Sequence, residues 1–491
     1  MTATRVDLLD EPKLIFGNSK MCVDPKVGLL GFGPNGIDIE DGKTLVIRAG
    51  AIGTYSSLIR LRDFLSRLRQ AIPPRIPKRK RLELWKREFP WLGTNGALGF
   101  DIELDPSAQE PISEREELQA LASDDRKERI VNAVSLYEQK FNDLATSTHP
   151  APQIVLLPIS ERLVDKCRDP QTKIVKIIYQ RRTFDKQFPR RDYPLFDFHN
   201  VMKVLSFRHN LPCQMILPST LSFEHTLQDP STIAWNLVVA MYYKGTGSPW
   251  KLADLDERTC YVGISFFEEI SKEYSAMRTS MAHVYVKKAE SQVIRGRPFR
   301  WQEEEGSFEP SLDTEHAKEL LSDAVELFYR QHESKPARVV VHKTSRFTQA
   351  EIDGFDQAVE GIPMADYVNI ESNSGIRFYH QRSGYPPVRG TLIASDTSPA
   401  ILYTVGFVPA LDTYQGSGVP WPLTLHIARM DSNYRLIARD LLSLTKMDWN
   451  STDFCSSSPV TTSVSRKVGN ILAEMRARDV KDPPQHYRFY M

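Results

Sequence analysis

Between Ile154 and Trp250, apolar segments of strand length alternate with segments of helical period, and this alternation constrains the fold more than any other feature of the chain. The order runs IVLLPIS (154–160), a helix opening at Asp197, CQMILP (213–218), a helix from about Thr232, and a turn GTGSPW (245–250). Strand, helix, strand, helix in that order predicts a parallel sheet covered by helices. The segment STHPAPQ (147–153), with two prolines and no Lys, Arg, Asp or Glu, predicts a boundary just before the first of these strands. A further strand is expected at LVIRAG (45–50).

After Asp254 the pattern changes. CYVGISFF (260–267) and MAHVYVKK (281–288) read as successive strands, and a long helix follows from about His316 to His332. ARVVVHK (337–343) is a buried-strand candidate, and Thr348 with Glu351 has the spacing of a capping box. GTLIAS and AILYTVG predict a hairpin, and the last helix is expected from about Val464 to Arg476. Strands in meander order followed by alternating helices and strands are what a ribonuclease-H-like core shows.

The 491 residues carry 63 Lys and Arg against 62 Asp and Glu, a formal charge of +1 that excludes a uniformly basic protein. The sum hides segregation. Arg60 to Arg87 holds +9, Asp101 to Glu128 holds −7, and Lys173 to Arg208 holds +6 interleaved with aromatic residues. Selected surfaces of a neutral protein are thereby suited to a polyanion. The segment RIPKRKRLELWKREFP predicts a basic loop entering a helix, and DPSAQEPISEREELQALASDDRKER an acidic loop and helix.

The N-terminus MTATRVDLLDEPKLIFG lacks the basic start and apolar run of a signal peptide, and no apolar stretch nears the ~20 residues of a bilayer span. Cys22, Cys167, Cys213, Cys260 and Cys455 are odd in number and scattered without a CxxC pair, which fits a reducing cytoplasm and no cysteine zinc site. No membrane association is expected.

Two phosphate-binding patterns fail on context. Gly31-Phe-Gly33-Pro-Asn-Gly36 matches G-x-G-x-x-G, yet strand-like IDIE (37–40) follows where a helix N-terminus should face the pyrophosphate. Gly42-Lys43-Thr44 ends like a P-loop, but Gly36 precedes Gly42 by six positions where five are required.

A constellation in the alternating region carries more. Asp197 is a good N-cap, and the helix after it places His199 and Lys203 at i and i+4, side by side. Gln214 opens the next strand, and Lys244 closes the next helix just before Gly245-Thr246-Gly247-Ser248-Pro249-Trp250. Two ammonium groups, an imidazole and an amide from neighbouring elements suit a phosphate monoester carrying about −1.5 to −2 charges.

The spacing H-x3-K-x10-Q-x29-K followed by G-x-G-x-P-W resembles the guide 5′-phosphate pocket in the MID domain of Argonaute proteins. The resemblance extends through CYVGISFF, ARVVVHKTSRFTQAEIDGF, LTKMDWNS and PVTTSVSRKVGNIL, which look like a PIWI domain, and to LDEPKLIFG and DPKVGLLGFGP, which look like the start of short prokaryotic Argonautes. It implies an α/β fold with a Rossmann-like MID domain at 151–255, a ribonuclease-H-like PIWI domain at 256–491, and an N-terminal segment, 1–150, packing with MID. It also implies a C-terminal carboxylate, that of Met491, reaching the phosphate pocket. Charge balance then asks for a divalent cation between carboxylate and phosphate, expected to be Mg²⁺ on oxygens of Gln214 and Met491.

Aligned on the same resemblance, the positions of the PIWI catalytic carboxylates fall on Ser265, Lys343 and Arg466. Lysine and arginine repel divalent ions where two-metal cleavage needs clustered acids, so the chain is expected to lack catalytic residues of its own. The function implied is that of a catalytically inactive short prokaryotic Argonaute. It would hold a 5′-phosphorylated guide RNA, capture complementary single-stranded DNA, and act in prokaryotic immunity against plasmids or phage through an APAZ-containing effector (TIR, sirtuin-like or nuclease). A second reading is a PIWI nuclease with a displaced carboxylate set, using Glu268, Asp448 or Asp453. A third, resting on the G-x-G-x-x-G and the alternating pattern alone, is a nucleotide-dependent metabolic enzyme.

Overall fold

Ile154–Pro158 is buried along its whole length, as a strand covered on both faces must be, and it sits inside a four-stranded sheet in which every pairing is parallel. The order across this sheet is Phe100–Ile112, Leu45–Thr54, Ile154–Pro158, Cys213–Ile216. The computed structural model describes residues 4–75, 85–94, 96–147, 150–167, 198–223, 228–270, 275–285, 290–299, 310–372, 375–378, 386–395, 398–414, 416, 418–475 and 483–491. Helices Tyr55–Leu68 and Pro230–Gly245 cover one face of the sheet, against Ile47, Ala49 and Leu156. Helices Arg126–Ser147 and Phe198–Arg208 cover the other, against Ile52, Val155 and Leu157.

The sheet runs across the boundary expected at residue 150. Leu45–Thr54 lies between Phe100–Ile112 and Ile154–Pro158, so strands from before and after residue 150 share one layer. The reading of the acidic stretch as a loop and helix is corrected. Its first half is the strand Phe100–Ile112, because Phe100, Ile102, Ala108 and Ile112 turn inward beneath the charged residues. IDIE is a short 3-10 turn at Ile39–Asp41 rather than a strand. Gly31 lies in the last turn of helix Pro25–Phe32, and Gly33, at φ +70°, caps its C-terminus through a 3.0 Å bond to the Leu29 carbonyl. These glycines adjoin the negative end of a helix, where a pyrophosphate is unwelcome.

The second sheet has nine strands. Thr259–Ile270, Ser275–Tyr285 and Glu290–Phe299 form an antiparallel meander, and Thr259–Ile270 pairs in parallel with Arg338–Lys343, which pairs in parallel with Met364–Ser372. Leu423–Met430, Ser398–Leu402 and Thr391–Ser395 continue it in antiparallel order, and Arg5–Leu8 closes the far edge. The strand Arg5–Leu8 thus carries the N-terminal segment into the second sheet as well. Helix Thr314–His332 packs on one face, helices Tyr434–Leu444 and Val460–Met475 on the other. The capping box expected at Thr348 and Glu351 opens helix Gln349–Ala358. Among the described residues no helix is long and apolar enough to cross a membrane.

Candidate functional site

Helix Phe198–Arg208 buries Val201, Met202, Val204 and Leu205, and Lys203 goes inward with them, 1% exposed. A lysine tolerates that position only if its ammonium finds acceptors. Nζ of Lys203 donates to the Cys213 carbonyl at 2.8 Å and to the main-chain oxygen of Met491 at 2.5 Å. Lys244, in the last turn of helix Pro230–Gly245 and also 1% exposed, donates to the same Cys213 carbonyl at 3.2 Å and to Gln214 Oε1 at 2.5 Å. Gln214 Nε2 turns back onto the Met215 carbonyl at 2.8 Å.

The structure brings Lys203, Gln214, Lys244 and Met491 together: both lysines bond the Cys213 carbonyl, Lys203 also bonds the Met491 oxygen and Lys244 also bonds Gln214. His199 is the exception. It stands one turn before Lys203 on the exposed side of the helix, with its ring nitrogen 3.4 Å from Asn200 Oδ1, because the inward face is filled by apolar side chains. Asp197, expected as the N-cap, lies outside the described residues. The Cys213 carbonyl was missed, since a main-chain acceptor leaves no residue-type signature; its only sign is its place directly before Gln214 at the strand start.

The electrostatics of the pair differ from those of two other buried lysines. Among the described residues no Asp or Glu side chain bonds Lys203 or Lys244, whereas buried Lys343 pairs with Glu351 and buried Lys446 with Glu11. Burial, and then the neighbouring Lys203 charge, push the Lys244 ammonium well below the ordinary lysine range. Two cations held side by side with only neutral side-chain acceptors favour the entry of an anion, which would offset both desolvation and mutual repulsion.

Ser265 and Lys343 lie on adjacent parallel strands, with Lys343 in register with Ile264. Lys343 is fully buried, bonded to Glu351 and, at 3.0 Å, to the Arg346 carbonyl. Arg466 is on helix Val460–Met475, and its side chain lies outside the described residues, as does that of Glu268. Asp448 faces Lys467 at 3.8 Å. Among the described residues no three His, Cys, Asp or Glu side chains form a group able to hold a metal ion. Of the basic tracts, Arg60, Arg62 and Arg69 are turned onto Glu161, Gln109 and Asp101, while 76–84 and 168–197 lie outside the described residues.

No protein-family model and no curated protein matches this sequence. Solved structures do match in three dimensions. Clostridium butyricum Argonaute bound to a guide DNA and a 19-mer target DNA superposes with a TM-score of 0.64 at 14% identity, over 98% of this chain and 54% of that one. The chain has an Argonaute-like fold. Aa-Ago with externally bound siRNA gives 0.57 at 15% identity over 99% of this chain and 56% of its own, and A. aeolicus Argonaute 0.55 at 14% over 98% and 54%. This chain therefore spans about half the length of those Argonautes. The parallel sheet and the nine-stranded sheet together give the mixed α/β architecture of Argonaute MID and PIWI domains.

Proposed function

We propose that this chain is a short, catalytically inactive Argonaute that anchors the 5′-phosphate of a guide RNA and presents the guide to complementary single-stranded DNA. The observation that carries the reading is the buried Lys203 and Lys244 pair, supplied with carbonyl and amide oxygens but no acidic side chain. A phosphate monoester entering there would set its negative charge against the two ammonium groups, and Gln214 would give direction through its amide. Anchoring the phosphate and pre-ordering the first bases lowers the cost of capturing a target, while base pairing supplies sequence selection.

Gln214 Oε1 and the Met491 oxygen suit Mg²⁺, which takes few protein oxygens and keeps several waters. Each of these oxygens accepts a hydrogen bond from a lysine. When bound, Mg²⁺ would be held by Gln214 and Met491 and would supply charge neutralisation beside the phosphate; Lys203 and Lys244 would bind the phosphate itself. Lys343 buried against Glu351 supports the reading of an inactive PIWI part. The output then belongs to a partner, an APAZ-containing effector in the cytoplasm with NAD-consuming or nuclease chemistry, acting in defence against plasmids or phage.

Nucleic acid extracted from the purified protein is expected to be short, 5′-phosphorylated and sensitive to ribonuclease, and a Lys203→Ala, Lys244→Ala double variant should lose it. Retention by that variant breaks the assignment. Incubation of the guide-loaded protein with a complementary labelled strand and Mn²⁺ should leave the strand intact; a defined cut would restore the nuclease reading.

A further inference from the structure

The oxygen that Lys203 binds is delivered by a short segment, 485–491, and one side chain holds that segment in shape. Val293 N–H on the edge strand Glu290–Phe299 donates to the Gln485 carbonyl at 2.6 Å, and Gln292 forms an antiparallel bridge with His486. The chain then turns through Tyr487–Phe489, with Tyr490 and Met491 N–H both donating to the Tyr487 carbonyl at 2.8 and 3.2 Å. His486 caps this turn. Its Nδ1 accepts from Arg488 N–H at 3.1 Å, satisfying a donor the turn leaves open. Its ring also lies 6.0 Å from the ring of Tyr243, the residue before Lys244. One imidazole thus meets both arms of the lysine pocket, the Met491 arm by a hydrogen bond and the Lys244 arm by ring packing.

We propose that His486 is a positioning residue for the guide 5′-phosphate, its neutral imidazole capping the final turn so that the Met491 oxygen is held against Lys203. The proposal rests on the phosphate-binding reading above. Burial, and the charge of Arg488, hold His486 down to about 4, so the acceptor lone pair on Nδ1 is present at neutral pH. The buried neighbours Tyr487, Phe489, Tyr490 and Met491 fix the segment sideways, but none of their side chains supplies the cap.

The test compares affinities for one 20-nucleotide RNA carrying either a 5′-phosphate or a 5′-hydroxyl, at neutral pH. H486F keeps a ring without the acceptor, and H486N keeps an acceptor that caps turns well without the ring. The phosphate preference should fall about five- to tenfold in H486F, the factor expected from a lost cap, and stay within about twofold of wild type in H486N. Exchange of the Arg488 amide in the wild-type chain supplies a readout that needs no variant: the 5′-phosphorylated RNA should slow it and the 5′-hydroxyl RNA should not. A folded H486F with undiminished preference, an H486N that falls as far as H486F, or an Arg488 amide indifferent to the phosphate overturns the proposal. A wild-type chain with no phosphate preference overturns the phosphate reading itself.

Discussion

At the scale of single residues, the protein separates buried charges that are already satisfied from those that are not. Lys343 and Lys446 each meet a glutamate, whereas Lys203 and Lys244 share the Cys213 carbonyl oxygen, with no acidic side chain bonded to either among the described residues. Buried histidines follow a similar logic. His342, fully buried with Nδ1 2.9 Å from Thr461 Oγ1, is pushed down to about 3 by desolvation and by Arg338, and His486 to about 4. The folded chain therefore keeps both neutral, while the unfolded chain takes up a proton on each as pH falls below about 6.5. Their contribution is complete above that pH and is lost on acidification, by about 2 kcal/mol per histidine at pH 5. Asp440 works in the opposite direction, since burial raises it to about 6 despite its bond to Arg338, so a total pH profile mixes signs. The difference between wild type and His342→Asn isolates one group: urea unfolding at pH 7.5 and 5.0 should show the variant losing about 2 kcal/mol less than wild type. Equal losses would mean that His342 does not carry this linkage.

Among elements, the contact between strand Thr259–Ile270 and helix Val460–Met475 is the tightest constraint on the second sheet. A Cβ at Gly263 would sit 1.9 Å from the Thr461 carbonyl oxygen, so the helix can lie where it does only because residue 263 has no side chain. Gly263→Ala should destabilise the protein by about 1–3 kcal/mol or more, measured by denaturant unfolding; a neutral effect would mean that the helix retreats freely. The sequence showed the glycine but not the helix it faces, and that difference describes what was legible. Ile154–Pro158, Thr314–His332 and the Thr348 capping box were readable because periodicity and caps are local. Phe100–Ile112 was hidden because its inward residues are masked by acidic neighbours, and its register jumps opposite Ala49 and Ala51 around Pro106. The membership of Arg5–Leu8 in a sheet completed almost 400 residues later was beyond any local pattern. In the pocket, side-chain types at set spacings marked Lys203, Gln214 and Lys244, while the Cys213 carbonyl and the His486 cap, being questions of where backbone groups point, became visible only in three dimensions.

Over the whole molecule, the two sheets are joined by one apolar core rather than by a linker. Ile47, Leu156 and Trp235 from the parallel sheet and its helices belong to the same buried cluster as Tyr261, Val340 and Val464 from the nine-stranded part, and the cluster also contains Tyr487, Phe489, Tyr490 and Met491. The lysine pair sits where these meet, since Lys203 and Lys244 come from the first part and the Met491 oxygen from the second. A ligand bound there stabilises both parts together, by about 2.7 kcal/mol at a hundredfold excess over its Kd. A single thermal transition is therefore expected, raised by 5′-phosphorylated RNA with Mg²⁺ and unmoved by the 5′-hydroxyl form. Residues appended after Met491 should reduce the shift, because they displace the oxygen that meets Lys203 and the cation. Two separate transitions, with only the first responding to the phosphate, would show that the shared core does not couple the sheets; an undiminished shift in the extended chain would remove Met491 from the pocket. Coupling of the two sheets through the pair requires both results to agree, because the only described bond from Lys203 to the nine-stranded part runs through Met491.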